Sequence, residues 1–276
     1  MRETVPTLII KPSRGKVSLN LKDLWNYREL LYFLAWRDLK VRYKQTALGV
    51  AWAMIQPLIT MIVFTIFFGR LAKVPSDGLP YPIFSFCALL PWTLFSRALS
   101  ESSNSLVANS HLISKIYFPR LVIPLSAILS ALVDFGIAFV MLLGMMVFYG
   151  IYPTAAVLAL PFFILFAIAT ALAVSLWLSA LNVEYRDVRY TIPFLTQAWM
   201  FASPIAYPSS LVPEGWRVIY GLNPMAGVIE GFRWTLLGRA QPSSSLYFVS
   251  VTIVLLLLFS GLVYFKRMER TFADVI

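Results

Sequence analysis

Six long apolar runs dominate this sequence and leave little room for a fold that water could surround. A helix of about 20 residues crosses the roughly 30 Å hydrocarbon core of a membrane. The second run is weakened by Arg97, Glu101 and several serines, and the fifth is short, with Pro193 and Pro204 near its ends. The runs cover about 48–69, 82–103, 121–149, 153–181, 190–207 and 245–265. We therefore predict an all-α, polytopic membrane protein with six transmembrane helices.

The composition excludes a water-soluble domain and most kinds of enzyme. Only 13% of the residues are charged and 59% are apolar, whereas soluble domains have about 25% charged residues. One cysteine and one histidine exclude a disulfide framework, a Cys-x-x-Cys zinc site, an iron–sulfur cluster and most imidazole-rich metal sites. Gly15-Lys16-Val17-Ser18 lacks the first glycine and the final Ser/Thr of a phosphate loop. We therefore predict that this chain is not an enzyme and that any ATP is hydrolysed by another chain.

Basic residues are distributed unevenly between the two sides of the predicted bundle. The connections on one side, together with both termini, carry 17 Lys and Arg residues, and those on the other side carry 5. Because Lys and Arg concentrate in cytoplasmic loops, this asymmetry predicts that both termini are cytoplasmic.

The N-terminal segment, residues 1–46, is predicted to be cytoplasmic and to contain an amphipathic interface helix. Leu24, Leu30 and Leu34 alternate there with basic residues such as Arg28 and Arg37. This pattern is typical of a helix that lies among anionic headgroups. The alternative is a solvated basic tail. Residues 47–276 are predicted to form one transmembrane domain.

The connection between the fifth and sixth runs contains an unusually apolar segment, residues 209–237. Asn223-Pro224 predicts the start of a helix and Gly238 its end. Its apolar stripe consists of Met225, Val228, Ile229, Phe232 and Leu236. Such a stripe is too large to face water, so we predict re-entrant gate helices that lie against lipid, a second subunit or the closed exit. The alternative is a passive cap.

Charged residues at membrane depth are expensive and are functional candidates by default. Asp134 lies near the middle of the third run, where it could serve ion coupling or a hydrogen bond between helices. Arg97 and Glu101 are four residues apart, on one helix face. We interpret them as a structural pair.

Several short motifs follow one another along nearly the whole chain. They are Arg42-Tyr43-Lys44-Gln45-Thr46 with Leu48-Gly49, Trp52 and Gln56-Pro57, then Lys115-Ile116-Tyr117-Phe118-Pro119-Arg120, Asn182-Val183-Glu184-Tyr185-Arg186-Asp187-Val188 with Pro193-Phe194, Ser203-Pro204-Ile205 with Tyr207, and Asn223-Pro224 with Glu230, Phe232 and Arg233. In this order they resemble the permease subunit of ABC exporters of the ABC-2 type. Within that superfamily the chain is most similar to exporters of polysaccharide or polyol phosphate chains, namely O-antigen, capsule or teichoic acid.

The resemblance implies a homodimer in the bacterial inner membrane that docks on two copies of an ATPase subunit, which binds the ATP and Mg²⁺. The substrate would be a lipid-linked glycan, and no nucleic acid partner is expected. The N-terminal helix and the two short cytoplasmic connections would meet the ATPases through Arg42, Lys44, His111, Lys115, Glu184, Arg186 and Asp187. Aromatic rings would line the path of the glycan, drawn from Trp52, Phe64, Phe67, Phe86, Trp92, Phe95, Trp199 and Phe201.

Two other transport functions remain open from the sequence. One is an ABC-2 permease for a small drug or lipid. The other is an ion-coupled carrier that uses Asp134, although the sequence has few membrane carboxylates and lacks paired broken helices.

Overall fold

Every regular element that the computed structural model describes, over residues 21–44, 49–238 and 244–272, is helical. The helices are α1 (Leu21–Asn26), α2 (Arg28–Lys44), α3 (Trp52–Phe64), α4 (Tyr81–Ala108), α5 (Ser110–Lys115), α6 (Val122–Phe148), α7 (Leu160–Glu184), α8 (Val188–Phe201), α9 (Arg217–Tyr220), α10 (Pro224–Leu237) and α11 (Ser244–Met268). A π-helical segment, Thr65–Leu71, extends α3. The all-α prediction is confirmed.

Five helical segments in the described ranges are long and apolar enough to cross a membrane. They are Gly49–Leu71, Tyr81–Ala108, Val122–Phe148, Ala155–Glu184 and Leu246–Met268. Each overlaps one of the predicted runs. The fifth predicted span, 190–207, corresponds to α8, which has only 14 residues and covers about 21 Å at 1.5 Å per residue. The count of six full spans stays a prediction.

α4 is the central helix of the bundle. Its most apolar window is 78% buried, compared with 22–39% for the other four long segments. Small side chains let neighbouring helices approach it closely, and the Ser102 hydroxyl donates to the Ser175 hydroxyl of α7 over 3.0 Å. α6 and α7 pack along α4, and α11 packs on α7.

Two ends of the bundle differ in chemistry. One end, which we name the basic end, contains α5, the turn at 185–187 and residues 266–272. Leu34 of α2 packs there in an apolar cluster that includes Phe118, Phe265 and Phe272. The opposite end contains the connections 72–80, 149–154 and 202–238, where the Tyr81 hydroxyl donates to the Ala206 carbonyl.

α2 combines a buried face with an exposed aromatic face. Leu34 and Ala35 are buried, whereas Tyr32 and Phe33 are exposed. The Lys40 ammonium lies 4.4 Å from the centre of the Trp36 ring. Aromatic rings beside basic groups suit the membrane–water boundary, so this arrangement supports the predicted interface helix.

α10 begins and ends where the sequence predicted. The Asn223 side chain accepts a hydrogen bond from the Met225 amide, and Gly238 follows the helix with a left-handed φ of 65°. The helix starts deep in the bundle, because Asn223 accepts from the Trp199 indole and that ring packs against Phe95 of α4. It ends beside Thr154 in the α6–α7 connection. α10 is therefore re-entrant, and with α8 it fills the depth that α8 alone does not span.

A glycine in α10 permits the close approach of α7, and its replacement is our first testable prediction. A Cβ atom at Gly231 would lie 2.1 Å from the Phe163 ring. We expect Gly231→Ala to lower the free energy of unfolding by about 1–3 kcal/mol, as overpacked cores do. Detergent-solubilised protein titrated with SDS and followed by circular dichroism measures this change.

Gly227 provides the matched control on the same helix. A Cβ atom there would meet its nearest neighbour at 3.4 Å, an ordinary contact, so Gly227→Ala should leave stability unchanged or raised. Equal stabilities of the two variants would contradict the packing argument.

Candidate functional site: a polar groove on the central helix

The second half of α4 carries a row of polar side chains at membrane depth. Between residues 91 and 104, all the positions that are not buried are polar, and they recur every three or four residues. They are Thr93, Ser96, Arg97, Ser100, Glu101 and Asn104. The remaining positions of this stretch are buried against other helices. The row thus lies on one face of α4, and this face differs chemically from the rest of the helix.

A cavity of about 330 Å³ opens over this row. Gln56 and Pro57 of α3 line one side, and Pro193 and Thr196 of α8 line another. Asp134 and Phe135 of α6 also contribute. α3, α4, α6 and α8 together form the groove, which we name the polar groove. Groups that could hydrogen-bond to a hydrophilic ligand are therefore gathered within an otherwise apolar bundle.

Four charged side chains form an ion-pair cluster at the polar groove. The Arg42 guanidinium of α2 contacts Asp134 and Glu101, each at 2.5 Å. The Arg97 guanidinium contacts Asp134 at 2.7 Å and Glu101 at 3.4 Å. The Tyr43 hydroxyl also donates to Asp134. Each carboxylate therefore has both arginines as partners, which we call the charge cluster.

The charge cluster joins three helices that are distant in sequence. Arg42 belongs to α2, Arg97 and Glu101 to α4, and Asp134 to α6. Asp134 is only 5% exposed, so its charge depends on these partners. The predicted Arg97–Glu101 pair is present. Asp134 holds helices together, which is the structural alternative left open by the sequence.

Arg42 belongs to the charge cluster, and its predicted contact with an ATPase stays a prediction. The resemblance assigned Arg42 to an ATPase-docking surface, but its guanidinium lies inside the charge cluster, where two carboxylates in an apolar setting attract it. Lys44, at the C-terminal end of α2, is exposed.

The other residues predicted to contact an ATPase are exposed at the basic end. They are His111, Lys115, Glu184, Arg186 and Asp187. The Glu184 carboxylate raises the pKa of the adjacent Tyr185 hydroxyl. Whether these residues meet a partner stays a prediction.

Hydrogen bonds tie both short connections to α4 and α2. The Asn182 amide of α7 donates to the Ser103 carbonyl and to the Asn104 side chain. Arg37 of α2 donates to the Asn109 side chain over 2.8 Å. A displacement at either connection would therefore reach α4, which carries the polar row.

Half of the predicted path aromatics lie in the subunit core, and the assignment of rings to a path stays a prediction. Phe64, Phe86, Trp92 and Phe95 are at most 6% exposed. α4 is surrounded by other helices on its apolar side, so its rings pack inward. Trp52, Phe67 and Phe201 are about half exposed, and Trp199 is partly buried.

The apolar stripe of α10 also lies elsewhere than predicted. Met225, Val228, Ile229, Phe232 and Leu236 are at most 1% exposed. They pack into the subunit's own core, where Phe232 contacts Phe135, because α10 enters the bundle as a re-entrant helix. Helices of the same subunit therefore cover these side chains. The gating role stays a prediction.

Arg233 of α10 is a structural residue whose burial sequence reasoning missed. It is 5% exposed, its guanidinium lies 3.6 Å from the centre of the Phe84 ring, and it donates to the Ile205 carbonyl over 3.0 Å. Only the mid-helix position of a charge within an apolar stripe could have signalled it.

A second cavity, of about 840 Å³, lies at the opposite end. Trp199, Tyr207, Trp216, Ile219, Tyr220 and Leu222 are among its lining residues. It is largely apolar and wide open, so it offers few fixed polar partners. The polar groove is therefore the better candidate for a site that handles a hydrophilic substrate.

A helical bundle that carries a polar groove at membrane depth has the features of a membrane transport subunit. The family of ABC-2 type transporters matches residues 29–237. This match spans most of the chain, and the chain belongs to the ABC-2 type transporter family. It is therefore a transport permease rather than an enzyme.

The chain is similar to known proteins over nearly its whole length. An O-antigen export system permease protein from Myxococcus xanthus is 28% identical over 93% of this chain and 98% of its own length. A Klebsiella pneumoniae protein of the same description is 28% identical over 95% of this chain and 99% of its own length. A polysialic acid transport protein from Escherichia coli is 21% identical over 85% of this chain and 91% of its own length.

Proposed function

We propose that this chain is the membrane-spanning subunit of an ATP-driven exporter that moves a lipid-linked polysaccharide across the cytoplasmic membrane. The observation that carries the proposal is its end-to-end similarity to permeases described as O-antigen exporters. Identity to the polysialic acid transport protein is lower, which favours an O-antigen-like glycan over a capsule chain. The polar groove supports the transport of a hydrophilic substrate.

The basic end would face the cytoplasm. Its positive residues fit the positive-inside rule, which puts both termini on that side. Two copies of an ATPase subunit would dock there, on α5 and on residues 184–187, and would carry the ATP and Mg²⁺. The exposed side chains at both connections support this docking surface.

A second copy of this chain would close the polar groove. In one subunit, α3 exposes Ile59 and Ile62, the π-helical segment that extends it exposes Ile66, and α8 exposes Phe194 and Phe201. Contiguous apolar faces beside a polar surface are expected to be covered by lipid or by another subunit. A homodimer would place two polar rows around one path.

The test of the proposed function is co-purification with the ATPase encoded by the neighbouring reading frame. The reconstituted complex should hydrolyse ATP faster when a lipid-linked glycan is added and should move the glycan into inverted vesicles. An ATPase whose catalytic glutamate is replaced by glutamine is the control. Failure to co-purify would contradict the proposal.

Residues 184–187 give a second testable prediction. We expect Glu184→Ala or Arg186→Ala to lower ATP-dependent export several-fold, because both side chains are exposed at the connection that Asn182 ties to α4. Export into vesicles is measured at equal amounts of inserted protein. Thr271→Ala, at an exposed position of the basic end outside both connections, is the comparison variant. Unchanged export in both charge variants would reject docking at this turn.

A further inference from the structure

The polar row of α4 has the chemistry of a surface for neutral sugars. Thr93, Ser96 and Ser100 line the cavity with hydroxyl groups, and a hydroxyl both donates and accepts hydrogen bonds. Gln56 and Thr196 face the same cavity. A polar face toward lipid would be unfavourable, so the row must border water or a hydrophilic ligand.

The charges at the polar groove cancel. Among the residues that line its cavity, the charged ones are Arg97, Glu101 and Asp134, and Arg42 pairs with both carboxylates. Two arginines thus face two carboxylates, and the net charge is zero. A chain with an anionic group on each sugar would enter a medium of low dielectric constant without compensating positive charge.

We propose that the polar groove carries an uncharged, hydroxyl-rich glycan and does not accept a polyanionic one. This inference rests on the proposed export function and names the substrate class of that site. Hydroxyl groups of a neutral sugar can exchange hydrogen bonds with Ser, Thr and amide side chains without disturbing the charge cluster. A polyanion would compete with Asp134 and Glu101 for Arg97 and for Arg42, which connects α2 to the bundle.

The single cysteine makes the groove accessible to a direct experiment. Cys87 is fully buried, so the unmodified chain should not react with water-soluble thiol reagents. Ser96→Cys and Ser100→Cys each place one thiol in the polar row. Val140 of α6 is 65% exposed and does not line the cavity, so Val140→Cys is the control for a surface that faces lipid.

The experiment compares the reaction rates of a cationic and an anionic methanethiosulfonate reagent of similar size. We expect both to modify Ser96→Cys and Ser100→Cys, with a rate ratio close to that of a free thiol, and neither to modify Val140→Cys. One uncompensated charge about 6 Å away would change the ratio by about tenfold, since the reagents differ by two charges. Glu101→Gln should therefore shift the ratio toward the anionic reagent. Thr93→Lys, which lies outside the charge cluster, should do the same if Glu101→Gln fails to fold.

Two results would overturn the inference. One is no reaction at either engineered thiol, and the other is a preference for the anionic reagent of tenfold or more in the parent variants. The substrate arm uses the reconstituted complex, in which a lipid-linked neutral glycan should stimulate ATP hydrolysis and a lipid-linked polysialylated chain should not. Stimulation by the sialylated chain rejects only this inference, whereas no stimulation by either glycan rejects the proposed function.

Discussion

Arg42→Ala is expected to destabilise the protein by about 3 kcal/mol and to abolish export, since loss of one partner leaves a buried carboxylate poorly compensated. Asp134 and Glu101 would then share Arg97 alone. The same change removes both ion pairs that connect the C-terminal end of α2 to α4 and α6 and leaves the Tyr43 hydroxyl as its hydrogen bond to Asp134. SDS titration followed by circular dichroism measures the stability, and vesicle export measures the activity.

Two further variants distinguish the loss of the Arg42–Asp134 ion pair from the loss of any positive charge on α2. Lys44→Ala removes an exposed positive charge two residues away and should change stability by less than about 0.5 kcal/mol. Arg42→Ala combined with Asp134→Asn should be less destabilised than the sum of the single variants, because the pair is lost together. Additive effects would show that Arg42 and Asp134 do not interact.

Arg233→Ala should lower the free energy of unfolding by a comparable amount, about 3 kcal/mol. The substitution removes a desolvated cation over the Phe84 ring, worth about 2 kcal/mol. It also removes a charged donor to the Ile205 carbonyl, worth about 1.5–3 kcal/mol, and such terms are not fully additive. The measurement is again an SDS titration of the purified chain.

Two control variants test whether the effect of Arg233→Ala depends on the buried guanidinium. Arg70→Ala at an exposed position should be nearly neutral. Arg233→Lys keeps the charge but loses the planar guanidinium, so it should recover only part of the stability. A fully stable Arg233→Ala chain would mean that α10 is held by its apolar stripe alone.

The long spans were predictable because a segment that crosses the lipid must be a long apolar run, and such a run is visible in the sequence. About 20 consecutive apolar residues have one physical solution in a bilayer, and five of the predicted runs correspond to such helices. The cap at Asn223 and the stop at Gly238 were predictable for the same local reason, since each depends on a few neighbouring residues.

What the apolar side chains face was not predictable. Lipid, a neighbouring helix and a substrate path all accept Phe and Trp, so periodicity cannot distinguish Phe95, which is buried, from Phe67, which is exposed. The interruptions by Arg97, Glu101 and serines, which weakened the second run as a span, were the best available signal for the polar groove.

Long-range pairing was also beyond the sequence. Asp134 and Arg42 are 92 residues apart, and no local rule selects one arginine out of 23 basic residues. The connection 202–208 between α8 and α9 was missed because 190–207 reads as one apolar run. The helix α8 ends at Phe201, before the end of this run, and the turn that follows accepts hydrogen bonds from the Asn223 side chain.

The shortness of α8 and α10 has a consequence for how the chain is made. Each has 14 residues, fewer than the insertion machinery needs for a helix that enters the bilayer as a full span. α10 buries Arg233 and the Asn223 cap only when α4, α7 and α8 are already in place. α10 therefore cannot bury these polar groups as an independent span, and we expect it to enter the bilayer only together with α4 and α8, which supply their partners.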